Sequence, residues 1–167
     1  MATALSPLLI LIALLQAPAA ATVAPVEVRY GEAVVALDAA RLAHVARQRV
    51  TVSDRSQSRM FEGVWLRDLL ALVHAPLGDA LRGEALQLIV VVDARDGYHA
   101  VFSLAEIDPA VRDRAILLAD RQDGQPLDGT AGPWRLVVAD EVRAARWVRQ
   151  VMRIRVVSVK DLDRDAQ

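Results

Sequence analysis

Arginine is the residue best equipped for chemistry in this chain. Its planar guanidinium offers parallel donors that match two oxygens of a phosphate, sulfate or carboxylate. The 167 residues hold 19 Arg and a single Lys, Lys160. Charge balances overall, 20 basic against 21 acidic residues, but it is unevenly placed. Residues 134–160 carry seven basic and two acidic side chains, a local +5, while residues 22–133 carry twelve and sixteen, or −4. The Arg-rich stretch is therefore either an anion site or a set of solvated strand faces paired with the acidic body. A net charge of −1 argues against a general binder of nucleic acid or membrane surfaces.

Other chemistry is poorly supplied. The chain has no Cys, which excludes disulfides, thiolate metal sites, thiol nucleophiles and iron–sulfur clusters built from its own residues. Its three histidines, His44, His74 and His99, make no paired ligand spacing and no HExxH. His99 follows Gly97 and Tyr98 and is the most interesting of them, as a candidate binding residue or as an exposed structural one. No Gly-x-Ser-x-Gly elbow, Walker loop or GxGxxG occurs. Asp93 and Asp96 are three apart, but Asp96-Gly97 is explained as a turn. The acids from Asp120 to Asp128 lack calcium-loop spacing.

The elements that must position these side chains are mostly strands. Val26 to Tyr30 alternates, and Gly31-Glu32 turns it into Ala33 to Leu37 as a hairpin. Asp38 caps an expected helix over residues 39–47. Arg49 to Ser53 is an expected strand, residues 54–59 a polar turn, and Val64 to Val73 a helix stopped by Pro76 and Gly78. Leu86 to Asp93 is a continuous apolar run, expected as a buried central strand, with Tyr98 to Leu104 its hairpin partner. Ala115 to Ala119 is another short strand, and Arg121 to Pro133 a long loop. Trp134 to Ala139, Arg146 to Gln150 and Met152 to Val159 close the domain as strands. Together they predict an α+β fold, a β-rich mixed sheet or barrel-like domain with short helices.

At the N-terminus, the apolar run Leu8 to Leu15 is too short to span a bilayer, and Ala19 and Ala21 suit signal peptidase. The expected organisation is a secretory signal peptide over residues 1–21, a domain over 22–160 and a polar, frayed tail over 161–167. That predicts periplasmic location and no membrane span once the leader is cleaved.

Three blocks then carry a resemblance. Phe61, Gly63, Leu66, Leu69 and Leu70 make an aromatic-x-Gly-x-x-Leu-x-x-Leu-Leu helix start. Asp96-Gly97-Tyr98 precedes Phe102 to Ile107. Finally, Ile116 to Asp120, Gly124, Pro126 and Leu127 lead to Gly132, Pro133, Arg135 and Val138, then to Arg143, Arg146, Trp147 and Val148. In order and spacing these blocks resemble the oxidoreductase molybdopterin-binding domain, the fold of sulfite oxidase and its bacterial relatives, over about residues 48–157. The resemblance implies that fold and a molybdopterin-dependent oxidoreductase ancestry. It implies that Arg143 and Arg146, before the Trp, help hold the phosphate of the pterin, and it makes Arg135 a third candidate. The alternative is that Trp147 is core and these arginines pair with Asp120, Asp140 or Glu141.

The sequence also departs from that family. Its molybdenum enzymes bind the metal through one Cys near the end of the strand before the aromatic-x-Gly helix. Here the corresponding stretch is Arg49 to Arg55, without Cys, and a hydroxyl is no simple substitute for a soft thiolate. Exported holoenzymes of this kind usually travel folded behind a twin-arginine leader, and no Arg precedes Arg29. The expectation is a protein without molybdenum redox activity and with no cofactor, molybdopterin being implied by resemblance only. Its candidate binding residues are Arg135, Arg143, Arg146 and His99, with no catalytic or metal residue assigned. Its partner is a small anionic ligand or a membrane signalling or redox protein. One alternative is a true oxidoreductase in which an oxygen of Ser53 or Asp54 holds the metal. Another is a sensory accessory to a membrane signalling partner.

Overall fold

The computed structural model describes residues 24–54 and 57–164. The expected leader and residues 165–167 lie outside them. Strand β1 (Val26–Tyr30) turns through Gly31-Glu32 into β2 (Ala33–Leu37). Helix α1 (Ala39–Leu42) follows, with the Asp38 carboxylate accepting from the Arg41 N–H at 2.8 Å. It is one turn long, not the nine residues expected. Leu42 buries and Val45 packs half-buried against the same core, but Ala43, His44, Ala46 and Arg47 are exposed, and this short apolar contact does not extend a costly helical nucleus.

Strands β3 (Gln48–Asp54) and β4 (Gln57–Trp65) make a hairpin, and helix α2 (Leu66–Leu72) starts where β4 ends. Next come β5 (Leu88–Ala94), β6 (His99–Ser103), helix α3 (Leu104–Ile107) and β7 (Ile116–Gln122). The two-residue strand β8 (Gln125–Pro126), then β9 (Arg135–Val138), β10 (Val151–Ser158) and helix α4 (Val159–Arg164) complete the order.

Three expectations need correction. Residues 57–63 are strand, and the helix begins at Leu66. Residues 146–150 are not a strand: a short 3-10 turn at Ala144–Arg146 leads to Gln150 at φ 49°. The tail is not frayed from Asp161, because α4 runs to Arg164. Its start is held by the Ser158 hydroxyl, which accepts from the Lys160 N–H, and by an ion pair of Lys160 with Glu84 at 2.7 Å.

The strands form two sheets. The first has the order β2-β1-β10-β5-β6, with β1 and β10 parallel and its other pairs antiparallel. The second runs β3-β4-β7, and both β8 and β9 pair with β7 on its far side. Among the described residues no closed barrel forms, so the fold is mixed sheets with short helices. The main core gathers Val28, Val92 and Ile154 of the first sheet, Val64, Leu118 and Leu136 of the second, and Leu66, Leu69 and Leu70 of α2. A smaller cluster of Val50, Phe61, Leu117, Ala119 and Val137 belongs to the second sheet. The run from Ile116 to Ala119 feeds both clusters alternately, which is why it is apolar without a break.

Candidate functional site

Period-two alternation on the second sheet sends Phe61 into the smaller cluster and keeps Arg59 on the same side of β4. On β9, Leu136 enters the main core, so Arg135 faces the other way with Val137. Arg135 pairs in register with Ala119. Trp134, just before it, is fixed by its indole N–H donating to the Ala24 carbonyl at 2.9 Å. Trp147 arrives from the turn after β9 and donates to the Val138 carbonyl at 2.9 Å. Its ring meets Phe61 edge-on, centroids 5.6 Å apart at 88°.

The Arg135 guanidinium packs against both rings, 5.6 Å from the Phe61 centroid and 5.2 Å from that of Trp147. Such contacts stabilise a cation by about 0.5–2 kcal/mol. Its Nε is buried without a hydrogen-bond partner. Burial holds its pKa below the usual arginine value, and the charges of Arg149 and Arg59 push the same way against a weaker opposing pull from Asp128.

Arg135 sits where two lobes of a surface groove meet. A polar lobe of about 680 Å³ is lined by Arg59, Arg135, Arg149, Gln57, Asp128 and Thr130 among others. A mixed lobe of about 830 Å³ is lined by Arg59, Arg135, Arg143 and Glu141 against Val52, Ser53, Phe61 and Trp147. The acids of the polar lobe are engaged by protein donors, Asp128 by its own loop and Asp123 by β4. Asp128 Oδ1 accepts from the Thr130 N–H, the Thr130 hydroxyl and the Ala131 N–H at 2.7–2.9 Å. The Thr130 hydroxyl leads in holding its carboxyl below the usual range. Asp123 Oδ1 accepts from the Met60 N–H at 2.9 Å. Among the described residues, no carboxylate comes within ion-pair distance of Arg59, Arg135, Arg143 or Arg149.

The structure thus brings together Arg135 and Arg143 of the expected set. Arg146 lines neither lobe. Its Nε donates to Glu141 at 2.7 Å, its Nη1 to Glu106 at 3.1 Å and to the Val101 carbonyl at 3.2 Å, and it stacks 4.4 Å from the Phe102 centroid. Burial opposes its charge, but the bonds from Glu106 and Glu141 outweigh that and raise its pKa. Asp140 is taken by buried Arg114 at 2.7 Å, and Asp120 by Arg47 at 2.5 Å. His99 stands on β6 in the first sheet, exposed, with Nδ1 3.5 Å from Asp93 Oδ1, and lines neither lobe.

Sequence reasoning missed Arg59 and Arg149. The one signal for Arg59 was its two-residue spacing from Phe61, hidden because residues 54–59 read as a turn. Arg149 read as part of a strand that does not form. Ser53 lines the mixed lobe, and the side chain of Asp54 lies outside the described residues. No group of three or more His, Cys, Asp or Glu among the described residues is placed to hold a metal.

A comparison with curated proteins returns no match. Among solved structures, the sulfane dehydrogenase SoxCD from Paracoccus pantotrophus matches with a TM-score of 0.59 at 19% identity. The match covers 82% of this chain and 39% of that one, a likeness of fold. The model of the oxidoreductase molybdopterin binding domain matches residues 36–163. With sheets, motif order and this match in agreement, the chain belongs to the oxidoreductase molybdopterin binding domain family.

Proposed function

We propose that this domain is an exported anion-binding module, built on an oxidoreductase fold and working without thiolate-held molybdenum. The observation that carries the reading is the Arg135 guanidinium. It is half-buried against two aromatic rings, pressed by two other arginines, and has no acid paired to it. Burying a cation among like charges is unfavourable unless something compensates it. An external oxyanion does so, with Arg59 and Arg149 supplying further donors from the polar lobe. Arg143 adds positive potential from the rim of the mixed lobe.

The fit to the family's cofactor is split. An unpaired buried cation beside further arginines suits an anionic head such as a phosphate. The metal end does not fit: no Cys exists, and no cluster of ligating side chains stands in its place among the described residues. No reaction step is therefore assigned to the metal. Export rests on the apolar run Leu8 to Leu15 followed by Ala19 and Ala21.

Titration calorimetry with inorganic phosphate tests the binding. The wild type is expected to bind one phosphate per chain, and Arg135→Met to lose at least about tenfold in affinity, the scale of one charge-assisted contact. Equal binding by both proteins, or none by the wild type, rejects the reading.

A further inference from the structure

Among the described residues lining the mixed lobe, three are arginines and one, Glu141, is an acid. The Glu141 side chain is only 14% exposed and has cations on both sides. On one side, Arg146 Nη2 lies 2.5 Å and Arg114 Nη2 3.6 Å from its Oε1. On the other is the lobe, with Arg59, Arg135 and Arg143. Arg114 and Arg146 do not line the lobe. Glu141 does, and its charge offsets theirs. Neither arginine depends on Glu141 alone. Arg114 keeps Asp140 at 2.7 Å and Glu106 at 2.5 Å, and Arg146 keeps Glu106 at 3.1 Å.

We infer that Glu141 is a specificity-determining residue: its carboxylate denies the mixed lobe to a second anionic group, so the groove takes ligands with one oxyanion rather than two. The inference rests on the anion-binding reading proposed above. The polar lobe offers Arg59, Arg135 and Arg149, with Asp128 held by its own loop and Asp123 by the Met60 N–H, so one oxyanion is welcome there. In the mixed lobe a second oxyanion would approach Arg143 and Glu141 together. Attraction to the first is opposed by repulsion from the second, and a like-charge approach costs as much as an opposite-charge one gains.

The test compares inorganic phosphate with tripolyphosphate, an anion that carries more than one oxyanion group. The readout is the ratio of their affinities, which a general loss of structure does not raise. Glu141→Gln is expected to raise the preference for tripolyphosphate by about tenfold, the scale of one unit charge a few ångströms away near solvent. Glu141→Asp, which keeps the charge, is expected to keep the wild-type ratio. Arg143→Gln in the Glu141→Gln background is expected to remove most of the gain. Thermal melts of each variant establish that it is folded. An unchanged ratio in folded Glu141→Gln, with Arg135-dependent phosphate binding intact, overturns this inference alone. A wild type that binds neither anion overturns it together with the anion-binding reading.

Discussion

Arg135 and Arg146 belong to one sequence block, yet their surroundings give them opposite roles. Arg146 is neutralised by Glu106 and Glu141 and holds α3 to the turn before Trp147. Arg135 has no acid within ion-pair distance among the described residues, and the repulsion of two arginines outweighs the pull of Asp128. Arg146→Met is therefore expected to lower stability by about 2 kcal/mol, because two half-buried carboxylates are left with one cation fewer. Arg135→Met is expected to leave stability unchanged or raise it, since it removes a buried unpaired Nε and two repulsions. Urea unfolding of the two variants checks the contrast, and a larger loss in Arg135→Met contradicts it. The contrast was not legible in the sequence. Motif position marked both arginines alike. Glu141, five residues from Arg146, was among the partners weighed. Glu106 is forty residues away and arrives only through the capping box of α3, where its carboxylate accepts from the Ser103 N–H at 3.0 Å.

At the scale of elements, β4 decides the groove, because it carries both Arg59 and Phe61. It crosses close to β7 at Gly63, where an added Cβ would fall 2.0 Å from the Leu118 carbonyl oxygen and 2.7 Å from Ala119 Cα. Both are backbone atoms and cannot give way. Gly63→Ala is expected to cost at least about 3 kcal/mol, read as a shifted urea midpoint. The polar start of β4 and this glycine also explain why the strand reads as a turn: its alternation becomes visible only once pairing on both sides is known. The hairpins β1–β2 and β5–β6 were legible because turn glycines punctuate clean apolar runs.

The first sheet makes its own prediction. Asp93 of β5 is nearly buried between Arg155, at 2.9 Å, and Arg153, at 3.1 Å, both on β10. Burial raises its pKa, but the bonds and charges of the two arginines outweigh this and leave it below the usual carboxylate range. A carboxyl depressed in the folded state contributes stability that is complete above its unfolded value of about 3.9. That contribution is lost as pH falls through the folded value. The melting temperature is thus expected to drop on acidification below about pH 4, and more shallowly in Asp93→Asn. Equal acid slopes in the two proteins would remove Asp93 from the account.

At the scale of the whole molecule, the two sheets and α2 enclose the main core, and the groove is borne on the smaller cluster of the second sheet. The family fold was legible because its motifs mark places where backbone geometry allows little choice: the α2 start, the Asp96-Gly97 turn and the loop from Gly124 to Pro133. The candidate site was less legible, since it depends on which arginines find acids in three dimensions. The described residues form an arginine-lined groove, proposed above to take an anion, and the chain has no thiolate to bind the metal. The most direct test is elemental analysis of the protein purified from a host that makes molybdopterin. Molybdenum far below one atom per chain is expected. Stoichiometric molybdenum, retained through gel filtration, would contradict it.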